Sequence, residues 1–269
     1  MKRKLLAMII AMMMVFCTAM AEVDGKGTNA VENTANEVGT IDTEKLESLK
    51  VLEDATAAPE ETGRLSGIVI GIDPGHQQKG NSEQEPVAPD SKETKNKVAS
   101  GTAGTVTGVP EYQVNLDVSL MLKAALEELG CTVYMTREVN DVDISNMERA
   151  LMMNELNVDL VLRIHCNGSS KSSANGIGLY VNETGDIAEA SLAAAECILP
   201  RMVEATGARK DGIFRRDTYT GLNWSTVPCI LVEMGFMSNP AEDVKLNDPE
   251  YQALLVQGMV EGICDTFQR

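Results

Sequence analysis

Histidine is almost missing from this chain of 269 residues, which has only His76 and His165, and bases are scarce: 23 Lys and Arg against 40 Asp and Glu, a formal charge of −17. Such a surface repels phosphates and gains nothing from releasing their counterions, so nucleic acid is excluded as a partner. Charge alone also disfavours anionic membranes and wall polymers. Cysteine is sparse and badly spaced for metal or disulfide chemistry. Beyond Cys17 there are Cys131, Cys166, Cys197, Cys229 and Cys264, an odd set with no CxxC pair, which argues against a disulfide framework and a thiolate zinc site. Cys131, Cys229 and Cys264 stand in apolar contexts and read as small buried hydrophobes. Cys166 follows His165, but in a strand its side chain points to the opposite face, which removes it as a nucleophile beside that histidine.

Long apolar runs are absent except at the start. Met1-Lys2-Arg3-Lys4, the apolar stretch Leu5 to Phe16, and Ala19-Met20-Ala21 are the three parts of a secretory signal peptide in order. Leu5 to Ala21 falls short of the roughly 20 residues of a membrane span, so cleavage after residue 21 is expected rather than a retained anchor, with a secreted, extracellular or cell-wall location and no stable membrane association. Phe16 is too bulky for the position before a lipid-carrying Cys17. Residues 22–66 lack Phe, Tyr, Trp and Cys and hold eleven acids against four bases. They cannot bury enough apolar surface to offset their ordering entropy and read as a disordered acidic linker, with room for one short helix at Ile41 to Asp54.

From Gly67 to residue 269 the pattern is that of one domain. Strands are expected at Ile68 to Ile72, Cys131 to Thr136, Val158 to His165, Gly176 to Val181 and Val227 to Val232. Val114, Val118, Met121, Leu122, Ala125 and Leu129 mark a helix face closed by Gly130, and further helices are expected at Ile144 to Leu156, Ile187 to Ala205 and Pro249 to Phe267. The alternation predicts an α/β fold, a layered mixed or largely parallel sheet with helices on both faces. Gln77 to Pro110 is polar and too long for an ordinary loop, which predicts a functional flap or partial disorder beside the cleft.

Both histidines close apolar runs, Ile68-Val69-Ile70-Gly71-Ile72-Asp73-Pro74-Gly75-His76 and Val161-Leu162-Arg163-Ile164-His165, and ligands of open α/β sheets gather where strands end. A catalytic zinc takes three protein ligands and keeps a fourth position open, and two histidines with one glutamate is an accepted set. With two histidines available the third ligand must be an acid. Glu111 is the candidate, because it stands at the start of the Val114 helix directly after Pro110. Taken singly, each histidine fits a hydrogen-bonded structural role and Glu111 a favourable charge on a helix dipole; in company they make a metal set. Glu233 ends the buried Val227 to Val232 strand, where a carboxyl without a partner is costly and its pKa rises. That suits a group which takes a proton from water and gives it to a leaving amine.

These residues together resemble the zinc-dependent N-acetylmuramoyl-L-alanine amidases of the type 3 catalytic-domain family. The resemblance rests on Asp73-Pro74-Gly75-His76, Glu111 before an apolar helix, Thr136-Arg137, Arg149, Ile164-His165-Cys166-Asn167 and Val232-Glu233-Met234-Gly235-Phe236 with Ser238-Asn239-Pro240. It implies zinc bound by His76, Glu111 and His165, Glu233 as catalytic acid/base, and hydrolysis of the amide between the lactyl group of N-acetylmuramic acid and L-alanine in a peptidoglycan or muropeptide substrate. Gln77-Gln78-Lys79-Gly80 stands where the family continues with glycines, and the insertion before Glu111 is long. Arg137 and Arg149 match family positions but are expected to brace the sheet by pairing with Asp141 or Asp143. Arg215-Arg216, in an expected loop from Gly212 to Trp224, read first as a solvated pair and second as partners for stem carboxylates; the role of Asn167 stays open. Two rival readings remain: a carboxypeptidase-like zinc hydrolase of peptide ends, and an inactive wall-binding module.

Overall fold

The computed structural model describes Gly63 to Gln268; the expected signal peptide and the linker up to residue 62 lie outside the described residues. Described residues ahead of the expected boundary at Gly67 already pack against the domain. Leu65 is fully buried and its N–H donates to Leu129 O at 2.9 Å.

In chain order the elements are β1 (Val69–Pro74), β2 (Asn81–Pro86), β3 (Thr94–Val98), α1 (Glu111–Glu127), β4 (Thr132–Met135), α2 (Asn146–Glu155), β5 (Leu160–Asn167), β6 (Ile177–Val181), α3 (Ala188–Thr206), β7 (Lys210–Arg215), α4 (Thr220–Asn223), β8 (Cys229–Phe236), α5 (Pro240–Leu246) and α6 (Pro249–Thr266). Six strands form one mixed sheet in the order β4-β1-β5-β8-β6-β7. The first four are mutually parallel, while β6 runs antiparallel to β8 and parallel to β7. A parallel return needs a crossover of a dozen or more residues. The segment between β5 and β6 has no helix to supply one, so the chain comes back in the opposite sense.

Strand alternation sorts the side chains. Ile70, Ile72, Leu160, Leu162, Ile164, Cys166, Ile230, Val232 and Met234 enter the main core with α1, α3 and α6. Each large aliphatic side chain buried there is worth about 1.5–3 kcal/mol. The other face carries a smaller apolar cluster in which Met153 of α2 and Leu222 of α4 meet Val161 and Leu231. That thinner cover leaves the upper part of this face free for polar residues. Helices therefore do flank both sides, and Cys166 lies in the core away from His165.

Several expectations need correction. Gln77 to Pro110, expected to be a functional flap or partly disordered, contains regular structure: β2 and β3 form an antiparallel hairpin within it. The alternation there is polar because only Glu85 and Val98 are buried. Gly212 to Trp224 is not a loop, since β7 pairs with β6 and α4 follows. As an edge strand with no fully buried residue, β7 gives little apolar signal. Finally, β8 does not stop at Val232 but runs through Phe236, so Glu233 sits inside a strand.

Candidate metal centre

The C-terminal ends of the parallel strands β1, β5 and β8 lie side by side, and the chemistry collects there. After β1 the chain turns sharply, with His76 in the left-handed region at φ 60°, a conformation that costs a non-glycine residue roughly 1–2 kcal/mol. The turn is clamped from beneath. Arg149 donates to Pro74 O (2.8 Å) and His76 O (3.0 Å), while Arg137 donates to Pro74 O (2.9 Å), Gly75 O (3.0 Å) and Tyr112 O (2.8 Å). These two arginines thus brace the His76 turn and not the sheet edge, and their expected partners Asp141 and Asp143 play no part. The acid that pairs with Arg149 is Asp73, at 2.8 Å.

His76 Nδ1 lies 2.8 Å from Ala99 O in the segment after β3. That contact makes Nδ1 the donor and leaves Nε2 as the lone-pair nitrogen, the usual support for a metal-binding histidine. His76 Nε2 and His165 Nδ1 both stand 3.2 Å from Glu111 Oε1. Thr102 N–H donates to Glu111 Oε2 at 2.9 Å, and Cys166 N–H to Oε1 at 3.1 Å. Pro110, extended at the helix N-cap, places Glu111 in the first turn of α1. There the helix dipole also favours its charge.

Burial opposes ionisation of Glu111, but hydrogen bonds from His165 and then His76 prevail and hold it well below the ordinary carboxylate range. Burial likewise works against a charge on His76, where the Glu111 hydrogen bond wins and raises the pKa; at His165 burial wins and lowers it. His165 Nε2 is buried without a partner against Gly75, where any Cβ would overlap the ring.

The nitrogen and oxygen atoms of His76, Glu111 and His165 fit a metal: one from each residue, all within 4.8 Å of one another. Tetrahedral zinc with bonds of about 2.0–2.1 Å sets neighbouring ligand atoms roughly 3.3 Å apart. The two 3.2 Å separations match that edge. Across β5 and β8, His165 is the register partner of Glu233. Glu233 Oε2 is buried with no hydrogen-bond partner. Burial, and next the charge of Glu111, push its pKa well above the ordinary 4.5.

Both groups open into a cavity of about 740 Å³, whose walls include Lys95 and Asn96 of β3, Arg163 and Asn167 of β5, and Tyr219. Burial, and then the Glu233 charge, push the Tyr219 hydroxyl up to about 12, so it stays neutral. Arg163 and Lys95 escape the sequence reading. Arg163 was legible as a charge between Leu162 and Ile164, the same signal that marks Glu233; Lys95 sits in a polar stretch that hides it. Arg215 pairs with Glu189, and Arg216 packs over Phe214.

The family model described as N-acetylmuramoyl-L-alanine amidase, type 3, matches residues 70–265. An N-acetylmuramoyl-L-alanine amidase of Mycobacterium tuberculosis is 31% identical over 226 residues, 79% of this chain and 90% of that protein. The N-acetylmuramoyl-L-alanine amidase LytC of Bacillus subtilis is 30% identical over 202 residues, covering 75% of this chain and 36% of LytC. Among solved structures, the N-acetylmuramyl-L-alanine amidase Ami1 from Mycobacterium smegmatis superimposes with a TM-score of 0.70 at 27% identity, over 76% of this chain and 98% of that one.

Proposed function

This chain belongs to the N-acetylmuramoyl-L-alanine amidase family, and from that premise we propose that it uses one zinc ion, held by His76, Glu111 and His165, with Glu233 as the catalytic acid/base. Its activity is hydrolysis of the amide between N-acetylmuramic acid and L-alanine in peptidoglycan. The observation that carries the zinc reading is the convergence of His76 Nε2 and His165 Nδ1 on one oxygen of Glu111, each at 3.2 Å.

When bound, zinc supplies a Lewis acid that polarises the amide carbonyl and acidifies water. The protein does the rest. Ala99 O and the Arg149 and Arg137 clamps keep His76 pointed inward, and the Thr102 and Cys166 N–H groups orient the Glu111 carboxylate. Glu233, on a strand buried along its whole length, cannot swing away from its position opposite His165. Its carboxyl can accept a proton from water and return it to the departing L-alanine nitrogen, and its raised pKa suits that second transfer. A mixed sheet thus supplies both the ligand and the base from adjacent strands.

Among the described residues no helix is long and apolar enough to cross a membrane. We place the enzyme outside the membrane, at the cell wall, on the signal-like character of residues 1–21. The test is a muropeptide digest with metal analysis of the purified chain. Release of intact peptide stems with one zinc per chain is expected. Single amino acids released from peptide ends would support a carboxypeptidase instead, and binding without any release would support an inactive wall-binding module.

A further inference from the structure

Two cations, Lys95 and Arg163, line the cavity of a protein that is otherwise strongly acidic. At its floor, Asp73 Oδ2 pairs with Arg163 at 2.9 Å while Asp73 Oδ1 pairs with Arg149 at 2.8 Å, so one buried carboxylate faces two guanidinium groups and a positive charge is left over. Arg163 is only 3% exposed and is held in place by Gly221, where any Cβ would overlap its guanidinium. On the wall above, Lys95 of β3 donates from Nζ to Thr218 O at 2.7 Å, and no carboxylate among the described residues pairs with it. An ammonium has three donors, so two remain for a ligand. The acids on the cavity wall are Glu111, already engaged by both histidines, and Glu233.

The wall that carries Lys95 is fixed before any ligand arrives. Glu85 on β2 accepts the Met147 N–H at the start of α2 with both carboxylate oxygens (3.2 Å each), and Asn146 Nδ2 donates to Lys97 O at 2.8 Å. Trp224 Nε1 donates to Pro86 O at 2.9 Å, and Asn223 Nδ2 to Val87 O at 3.0 Å. A cation on a hairpin pinned at both ends loses little freedom on binding, which favours selectivity.

We propose that Lys95, backed by the surplus charge at Arg163, forms a carboxylate subsite that recognises the residue after L-alanine in the peptide stem. In peptidoglycan that residue is a γ-linked D-glutamate whose α-carboxyl is either free or amidated. The subsite selects the free acid. This rests on the amidase reading for the identity of the peptide, and on Lys95, Arg163 and the hairpin for the preference.

The test is calorimetric titration of the zinc-loaded full chain with L-alanyl-γ-D-glutamyl-L-lysine and with its counterpart amidated at the glutamyl α-carboxyl. The wild type is expected to bind the acid roughly five- to tenfold more tightly, the scale of one charge-assisted contact at a partly exposed site. Lys95→Gln should bring the ratio to about 1, and Lys95→Arg should keep part of it. Lys95 is exposed, so the substitution leaves the fold intact. Equal affinities in the wild type, or an unchanged ratio in Lys95→Gln, would overturn the subsite. Equal weakening of both peptides in Lys95→Gln would also overturn it, by assigning Lys95 to the terminal carboxylate. Product binding needs no turnover, so a chain that shows the preference yet releases no stems sinks the amidase reading alone.

Discussion

His165 and Glu233 are register partners on the adjacent parallel strands β5 and β8, with side chains on the same face of the sheet. The sheet therefore fixes the distance between the candidate metal ligand and the proposed base without help from any loop. Glu233→Gln keeps shape and volume and removes the proton acceptor. Turnover of muropeptides should fall by roughly 100-fold or more, the scale of a positioned general base, while zinc content stays at wild-type level. Loss of zinc in that mutant would make Glu233 a ligand.

The same residue predicts a pH effect in the metal-free protein. Burial, and then the Glu111 charge, raise the folded-state pKa of Glu233 well above 4.5, so the folded protein holds this proton more tightly than the unfolded chain does. Its contribution to stability is full below 4.5 and is lost as pH rises through the folded-state value. Denaturant melts of metal-free wild type should weaken over that window more than those of Glu233→Gln. Parallel curves would show that Glu233 titrates normally.

His76→Ala, His165→Ala and Glu111→Gln should each lose most bound zinc, because among the described residues no other group of His, Cys, Asp and Glu gathers like this one. Metal analysis after dialysis reads the result. Stoichiometric zinc in the His76→Ala, His165→Ala double mutant would remove the site. A wild type that melts at a lower temperature after chelation is the companion expectation, since a ligand that binds only the folded state stabilises it.

Much of this was legible because the core obeys simple periodicities. Val114, Val118 and Leu122 recur at helical spacing, and the apolar runs before His76 and His165 are buried strands whose ends share one edge of the sheet. Glu233 stood out as an acid in an apolar run. What the sequence hid was set by polar contacts between segments distant in the chain. The β2–β3 hairpin is held by Trp224, Asn223 and Asn146, and β7 by pairing with β6, so neither needs an apolar pattern of its own. The partner of Arg149 was misread because Asp73 is far away in sequence, and nothing in local spacing favours it over Asp143.

Asp73→Asn tests that buried network. The carboxylate is fully buried and accepts from Arg149 and from Thr136 Oγ1 (2.5 Å) while pairing with Arg163. Burial works against its charge, but Arg163 and then Arg149 hold its pKa well below the ordinary 3.8. Its contribution is present above that value and is lost as pH falls. Breaking a buried pair costs about 3–5 kcal/mol, a large share of a typical domain's 5–15 kcal/mol. Denaturation should show a loss of that size at neutral pH and a shallower acid limb; a near-neutral mutant would mean that the arginines find other partners.

Gly75→Ala is the sharpest probe of how sequence sets the site. Gly75 N–H donates to Ile164 O at 2.9 Å, which draws the turn after β1 against β5 one residue before His165. At that approach a methyl group would overlap the imidazole at Cε1, Nε2 and Nδ1, the last being the nitrogen that faces Glu111. The ring is confined by strand β5 behind it, so it must tilt, or the turn must lift and carry His76 with it. Either movement separates His165 Nδ1 from Glu111 Oε1. Overpacking of this kind costs typically about 1–3 kcal/mol, so the mutant should fold with reduced stability, bind zinc at least tenfold more weakly and lose most turnover. Competition against a chelator of known affinity measures the zinc loss. Wild-type zinc affinity in a folded Gly75→Ala protein would show that the close approach of Gly75 to His165 does not set the metal geometry.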